Sequence, residues 1–246
     1  MGLRFSFDTG TIGKRGFMQK RCGFALMIAF SVSFLMAPAA QEIVTADKFL
    51  AQVGEVYNSI KDYQARLRIT SGRNDMEGTI IYRAPNLIRM DFSVPQEQVI
   101  VYNGEVLMVY LPEYRAILRQ EVGGESKSTG ATFASSQGLV LLRRNYLPAY
   151  QTGPDPVPLD DKNPTPVVKL VLTRRNVSEG FREIRLSIEP QSKLIYRIEA
   201  RTVAEELIVF NFSNIVLNQG IPEGRFAYDA PASANVYNNF LFKSSN

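Results

Sequence analysis

Apolar and polar residues along the chain alternate with two different periods, and the switches between them mark the elements. Thr45 is a good helix N-cap, with Asp47 in the first turn. Phe49, Val53, Val56, Tyr57 and Ile60 then recur at helical spacing, which predicts one amphipathic helix with a single apolar stripe. After Asp62 the period becomes two. Tyr63, Ala65, Leu67 and Ile69 alternate with Gln64, Arg66 and Arg68, the signature of a half-buried strand. Residues 71–75 (Ser-Gly-Arg-Asn-Asp) carry turn chemistry, a strand is predicted over 76–83, and Pro85-Asn86 breaks it. Ile88, Met90 and Phe92 alternate with Arg89 and Asp91 until Pro95 ends that strand.

The strongest local signal follows. Residues 98–102 and 105–111 are apolar runs separated by Asn103-Gly104, which suits a two-residue type I′ hairpin turn. Val99, Val101, Val106, Met108 and Tyr110 fall on one face of this hairpin, and Ile100, Tyr102, Leu107 and Val109 on the other. Both faces are apolar, so both are expected to be at least partly covered. Residues 115–121 read as another strand and 123–138, rich in Gly, Ser and Thr, as a mobile loop. A short helix is predicted over 136–146, with Leu139, Val140, Leu142 and Leu147 making it unusually apolar. Residues 153–166 carry five prolines and are expected to form an extended connection. Strands resume at 167–173, 183–189, 194–201 and 206–217, with Phe226-Ala227-Tyr228 as a candidate for the last. The sum is an antiparallel meander with very little helix.

The first forty residues do not belong to this pattern. Lys14, Arg15, Lys20 and Arg21 precede an apolar run from 22 to 36, and Ala37-Pro38-Ala39-Ala40 supplies small residues. That order is the anatomy of a secretory signal peptide, cut between Met36 and Glu42. The run is shorter than the roughly 20 residues that span a bilayer. Met18 offers an alternative start. The chain is thus expected to divide into a signal peptide over 1–40 and a single exported domain over 41–246.

Removing the signal changes the charge. The chain has 28 basic and 24 acidic residues, and taking away the five basic and one acidic of the first forty leaves 23 of each. A near-neutral mature chain has no electrostatic case for nucleic acid. The only cysteine, Cys22, leaves with the signal, so no disulfide is expected.

Candidate chemistry is sparse. The chain has no histidine, which excludes Ser-His-Asp and Cys-His catalysis and argues against a zinc site. No P-loop or G-x-G-x-x-G occurs. Glu205-Glu206 and Asp160-Asp161 read as solvated pairs rather than catalytic dyads. No enzyme activity, cofactor or metal is therefore expected. Apolar surface is what remains to be explained. Strand alternation and the leucine excess of the second helix select Ile88, Met90, Phe92, Val101, Met108, Leu139, Leu142, Ile198, Phe210 and Phe212. These ten could be plain core, or they could line a cavity for an apolar ligand under the helix. Periodicity does not choose between the two.

The segment 81–92 (Ile-Tyr-Arg-Ala-Pro-Asn-Leu-Ile-Arg-Met-Asp-Phe), then Pro95, then 100–110 with Asn103-Gly104 at its tip, resembles the LolA family of lipoprotein carriers. The order of the remaining elements fits as well, down to an ending with Phe226, Tyr228 and Pro231. The resemblance implies a curved antiparallel sheet forming an incomplete β-barrel, mainly β and covered by a few helices. It implies a monomeric periplasmic protein that binds the acyl chains of lipoproteins. It would take them from an inner-membrane ABC transporter of the Lol type to an outer-membrane acceptor, LolB-like or otherwise. Two readings stay open on the same fold: a carrier of another envelope lipid, and a regulator that senses lipoproteins. In the family an arginine directly before the proline latches the helical lid. Here Ala84 stands there, and Arg83, one place earlier, is the latch candidate on the opposite face of the strand. Ile88 falls on a cargo-handling position. The family's cavity tryptophans are missing, so Met90, Met108 and phenylalanines would take that role.

Overall fold

A computed structural model describes residues 44–121, 134–229 and 231–239. The expected signal peptide and most of the expected mobile loop lie outside these residues. The chain opens on α1 (Ala46–Ser59). Thr45 caps it as expected, its side chain accepting from the Lys48 N–H at 3.2 Å. Phe49, Leu50, Val53 and Tyr57 form its buried stripe.

Six strands follow: β1 (Asp62–Ser71), β2 (Asn74–Arg83), β3 (Leu87–Val94), β4 (Val99–Tyr102), β5 (Val106–Leu111) and β6 (Ala116–Glu121). Then come α2 (Ser136–Asn145), β7 (Tyr146–Tyr150), β8 (Val157–Asp160), β9 (Asn163–Arg174), β10 (Phe181–Ile188), β11 (Ile195–Thr202), β12 (Leu207–Leu217) and β13 (Asn235–Asn238). Twelve of these strands make one sheet in the order β13-β6-β5-β4-β3-β2-β1-β12-β11-β10-β9-β7, and β8 pairs with β9. β7 and β13 are its edges, so the curved sheet does not close. The expected incomplete barrel is the observed architecture.

Several local expectations are corrected. The β4–β5 turn is centred on Gly104-Glu105 rather than Asn103-Gly104. Gly104 takes φ +96°, and the Asn103 side chain accepts from the Glu105 and Val106 N–H groups at 3.1 and 2.9 Å. A glycine with positive φ at the first central position is what a type II′ turn requires. The register is displaced by two residues, Val101 facing Met108 and Ile100 facing Val109. An even shift leaves the grouping of side chains on each face unchanged. Leu147 belongs to β7 and not to the second helix. The proline-rich connection contains β8 and the start of β9, Pro158 pairing with Pro166. Phe226 sits in a 3-10 turn (Glu223–Phe226) instead of a strand, and the last strand is β13, parallel to β6.

A glycine is obligatory where β2 meets β3. A Cβ on Gly78 would overlap the Asp91 carbonyl oxygen. The register of the β2–β3 ladder shifts at this point.

The main core lies on the inner face of the sheet, where α1 and α2 pack. A second apolar cluster (Val99, Val101, Tyr110 and Ile117, with Met108, Tyr228 and Ala234) lies on the other face of β4–β6. A third, Ile81, Ile221 and Phe226 with Leu87, adjoins β2 and β3. The chain after β12 therefore crosses the outer face of β2–β6 and covers it.

Candidate functional site

Hydrogen-bond register places the inner side chains in rows that cross the sheet. One row runs Leu170, Leu186, Ile198, Phe210, Ile69, Met76. A second runs Phe212, Leu67, Gly78, Phe92. A third runs Ile80, Met90, Ile100, Val109, Leu118. Burial changes along the third row. Ile80 and Met90 are fully enclosed, whereas Ile100, Val109 and Leu118 are half-buried. The inner face thus grades from a sealed interior at β2 to an accessible apolar margin at β4–β6.

Of the ten residues selected from the sequence, eight meet on this face: Ile88, Met90, Phe92, Leu139, Leu142, Ile198, Phe210 and Phe212. Val101 and Met108 do not. Val101 pairs with Arg89, whose side chain faces outward, and Val101 and Met108 belong to the cluster under the C-terminal segment. Ile100 and Tyr102 take their places. The parity of β4 relative to β3 depends on how the four residues between them turn, and alternation within β4 carries no information about that.

Among the described residues the inner side chains pack into one continuous cluster. A cavity of about 10 Å³ lies beneath α1, bordered by Tyr57, Ile60, Tyr63, Leu194 and Phe212 among others. That is room for roughly one water molecule. Of the ten residues selected from the sequence, only Phe212 borders this void.

Neutral hydroxyls tie the covering helices to the sheet. Tyr63 donates to the Ala134 carbonyl at 3.1 Å, just before α2, and Tyr150 donates to the Val44 carbonyl at 2.7 Å, just before α1. Tyr57, on α1, accepts from the Ile195 N–H at 3.1 Å. Burial raises the pKa of Tyr57 and of Tyr63 well above the usual tyrosine range, the backbone N–H partly opposing it at Tyr57, so both stay neutral. Burial, with the charge of Glu179, moves Tyr146 up to about 12. An ion pair of 3.3 Å between Arg143 and Asp47 links the two helices at the surface. These tyrosines escape a reading by alternation because they count there only as apolar positions.

Among the described residues Arg83, the latch candidate, donates to the Ile221 carbonyl at 2.5 Å on the outer side and not to either helix. Arg89 donates to the Arg225 and Ala227 carbonyls at 3.0 and 3.1 Å, pairs with Asp91 at 2.8 Å and lies over the Tyr228 ring. Asp62 accepts from the Gln219 and Gly220 N–H groups at 2.7 and 3.0 Å. Charged side chains thus make the hydrogen bonds that fasten the outer cover, and neutral hydroxyls make those named for the inner, where the Lys193 ammonium also lies over the Phe49 ring of α1.

Among the described residues no helix is long and apolar enough to cross a membrane. The inner wall offers hydrocarbon and hydroxyls already engaged with backbone, a chemistry suited to sheltering an apolar chain.

The family profile described as "Outer membrane lipoprotein carrier protein LolA" matches residues 68–229. No curated protein matches the chain. Among solved structures, an uncharacterized conserved protein of Thermus thermophilus is similar at 14% identity and TM-score 0.50, with 78% of this chain and 98% of that one covered. A LolA superfamily protein of Nitrosomonas europaea is similar at 14% identity and TM-score 0.40, with coverage of 75% and 98%. The lipoprotein LppX of Mycobacterium tuberculosis is similar at 13% identity and TM-score 0.45, with coverage of 72% and 97%.

Proposed function

The chain belongs to the LolA family, and from that premise we propose that it is a periplasmic carrier that holds the acyl chains of lipoproteins against the inner face of its sheet. It takes them from an inner-membrane transporter and delivers them to an outer-membrane acceptor, with no catalytic step of its own. The N-terminal forty residues act as its signal peptide. The observation that carries this reading is an apolar inner face whose two helical covers are fastened by neutral hydrogen bonds. Such bonds each contribute only about 1 kcal/mol, so the covers can be displaced.

Acyl chains enter by replacing helix side chains in the packed interior. The half-buried margin of Ile100, Val109 and Leu118 is the place where an apolar chain first finds a surface. Each methylene sheltered contributes roughly 0.8 kcal/mol, so a fully enclosed chain would release slowly. The side-chain packing that an acyl chain displaces offsets part of that gain. Ile88, Met90, Phe92, Leu139, Leu142, Ile198, Phe210 and Phe212 become cargo contacts once the helices move.

Native mass spectrometry of the protein purified from its own periplasm tests this. Acylated polypeptide bound to the carrier is the expected result. Free lipid without attached protein would replace the reading by carriage of another envelope lipid.

A further inference from the structure

At one end of the sheet, the outer face carries an apolar frame around a charged groove. A single cross-strand row runs Leu147, Thr173, Glu183, Arg201, Leu207. Exposed leucines stand at both ends of this row. Above it project two turns, 175–180 and 203–206, whose tips are Val177 and Val203. These valines are 84% and 57% exposed. Hydrogen bonds shape both turns: Arg174 donates to the Val177 carbonyl at 3.2 Å, and the Glu206 N–H donates to the Thr202 hydroxyl at 3.1 Å. Between them lies a groove of about 370 Å³ lined by Thr173, Arg174, Arg182, Glu183, Arg201 and Glu205.

Charge at this end is biased. Arg143 and Arg144 occupy the last turn of α2. Arg175 adjoins them, its N–H donating to the Asn145 carbonyl at 2.8 Å. With Arg174, Arg182 and Arg201 these make six cations, against Glu179, Glu183, Glu205, Glu206 and the Asp47 that pairs with Arg143. Glu205 pairs with both Arg182 and Arg201.

We infer that this end docks on the surface of an anionic phospholipid bilayer. A protein partner is usually met by an apolar centre inside a polar rim. Here the order is inverted, with aliphatic tips outside and guanidinium groups inside. That arrangement suits a bilayer, where Val177, Val203, Leu147 and Leu207 enter the interface while Arg174, Arg182 and Arg201 meet lipid phosphates. The inference does not depend on what the interior carries. It places the α2–β7 junction against the membrane, beside one end of a covering helix.

Flotation of the purified protein with vesicles of phosphatidylethanolamine and phosphatidylglycerol tests it, with phosphatidylcholine vesicles as the neutral comparison. The wild type is expected to float with the anionic vesicles, less so as salt screens the charges. The pair Val177→Asp and Val203→Asp, and separately the triple Arg174→Gln, Arg182→Gln, Arg201→Gln, should each lower vesicle affinity by about tenfold. All five sites are at the surface, and matching thermal melts would show the fold intact. A wild type that stays unbound, or variants that float as it does, would overturn the inference. So would equal binding to neutral vesicles, which would place the contact at the acyl-binding face.

Discussion

The β3–β5 region has two apolar faces with two different covers. Inside, Ile88, Met90, Ile100 and Tyr102 lie against the helix-covered core. Outside, Val99, Val101 and Tyr110 lie beneath the C-terminal segment. The hydrophobic contribution of the two is similar in kind, but the fastenings differ. Asp62, Arg83 and Arg89 hold the outer cover with charge-assisted bonds to backbone groups. The inner cover rests on tyrosine hydroxyls. Hydrogen bonds to charged partners contribute roughly twice as much as neutral ones. On the proposed function, the outer cover stays in place and the inner one opens.

The largest expected effect comes from placing a charge inside. Ile88 is 4% exposed, so Ile88→Glu buries a carboxylate without a partner and should destabilise the fold by about 4 kcal/mol. Thermal and urea melts measure it. Val109→Glu, on the half-buried margin of the same face, should remain folded and lose cargo transfer. A stable Ile88→Glu would mean that water reaches the interior at this position.

Next in size is the outer clamp. Arg89→Ala removes donors to two carbonyls and should cost about 2 kcal/mol, releasing the segment after β12. Limited proteolysis should then cut within residues 218–229, while uptake of an apolar fluorescent probe stays at the wild-type rate.

Tyr63→Phe should do the opposite. It removes one neutral hydrogen bond, worth about 1 kcal/mol, and leaves the ring in place. Amide exchange in α2 and probe uptake should both accelerate, with the C-terminal segment unaffected. Unchanged exchange in α2 would show that Tyr63 is not a latch.

The smallest effect is a pH dependence of opposite sign on the two sides. The inner tyrosines have raised pKa values in the folded protein, so their contribution is complete below about pH 10 and falls as pH rises further. Outside, the hydrogen bond from Arg197 lowers the pKa of Asp160, which the Lys162 and Asn163 N–H groups support. That contribution is present above the ordinary carboxylate range and is lost as pH falls below it. Alkali should loosen the helices first, and acid the β8 arm. Exchange measured at both extremes checks the order.

Much of the meander was legible from alternation. The capped first helix and the strands from Tyr63 to Leu217 were readable because each carries its own period. β7 was not, since Tyr146–Tyr150 contains Pro148 and continues an apolar helix without a break. β8 and the start of β9 hid among prolines that tolerate pairing at a sheet margin. All four residues of β13 are exposed, so nothing in their polarity marks a strand.

By itself the sequence determined the composition of each face, because a strand's period of two sorts its side chains whatever their surroundings. It also determined that both faces of the β4–β5 hairpin needed covers. Which face turned inward was decided only in the tertiary structure. Alternation sorts residues into two sets without saying which set points to the core. That choice was made by contacts from distant parts of the chain: Tyr228 against Tyr110 outside, and Tyr57 of α1 bonded to Ile195 inside. Val101 and Met108 went outward for that reason, and Arg83 came to hold a C-terminal segment instead of a helix.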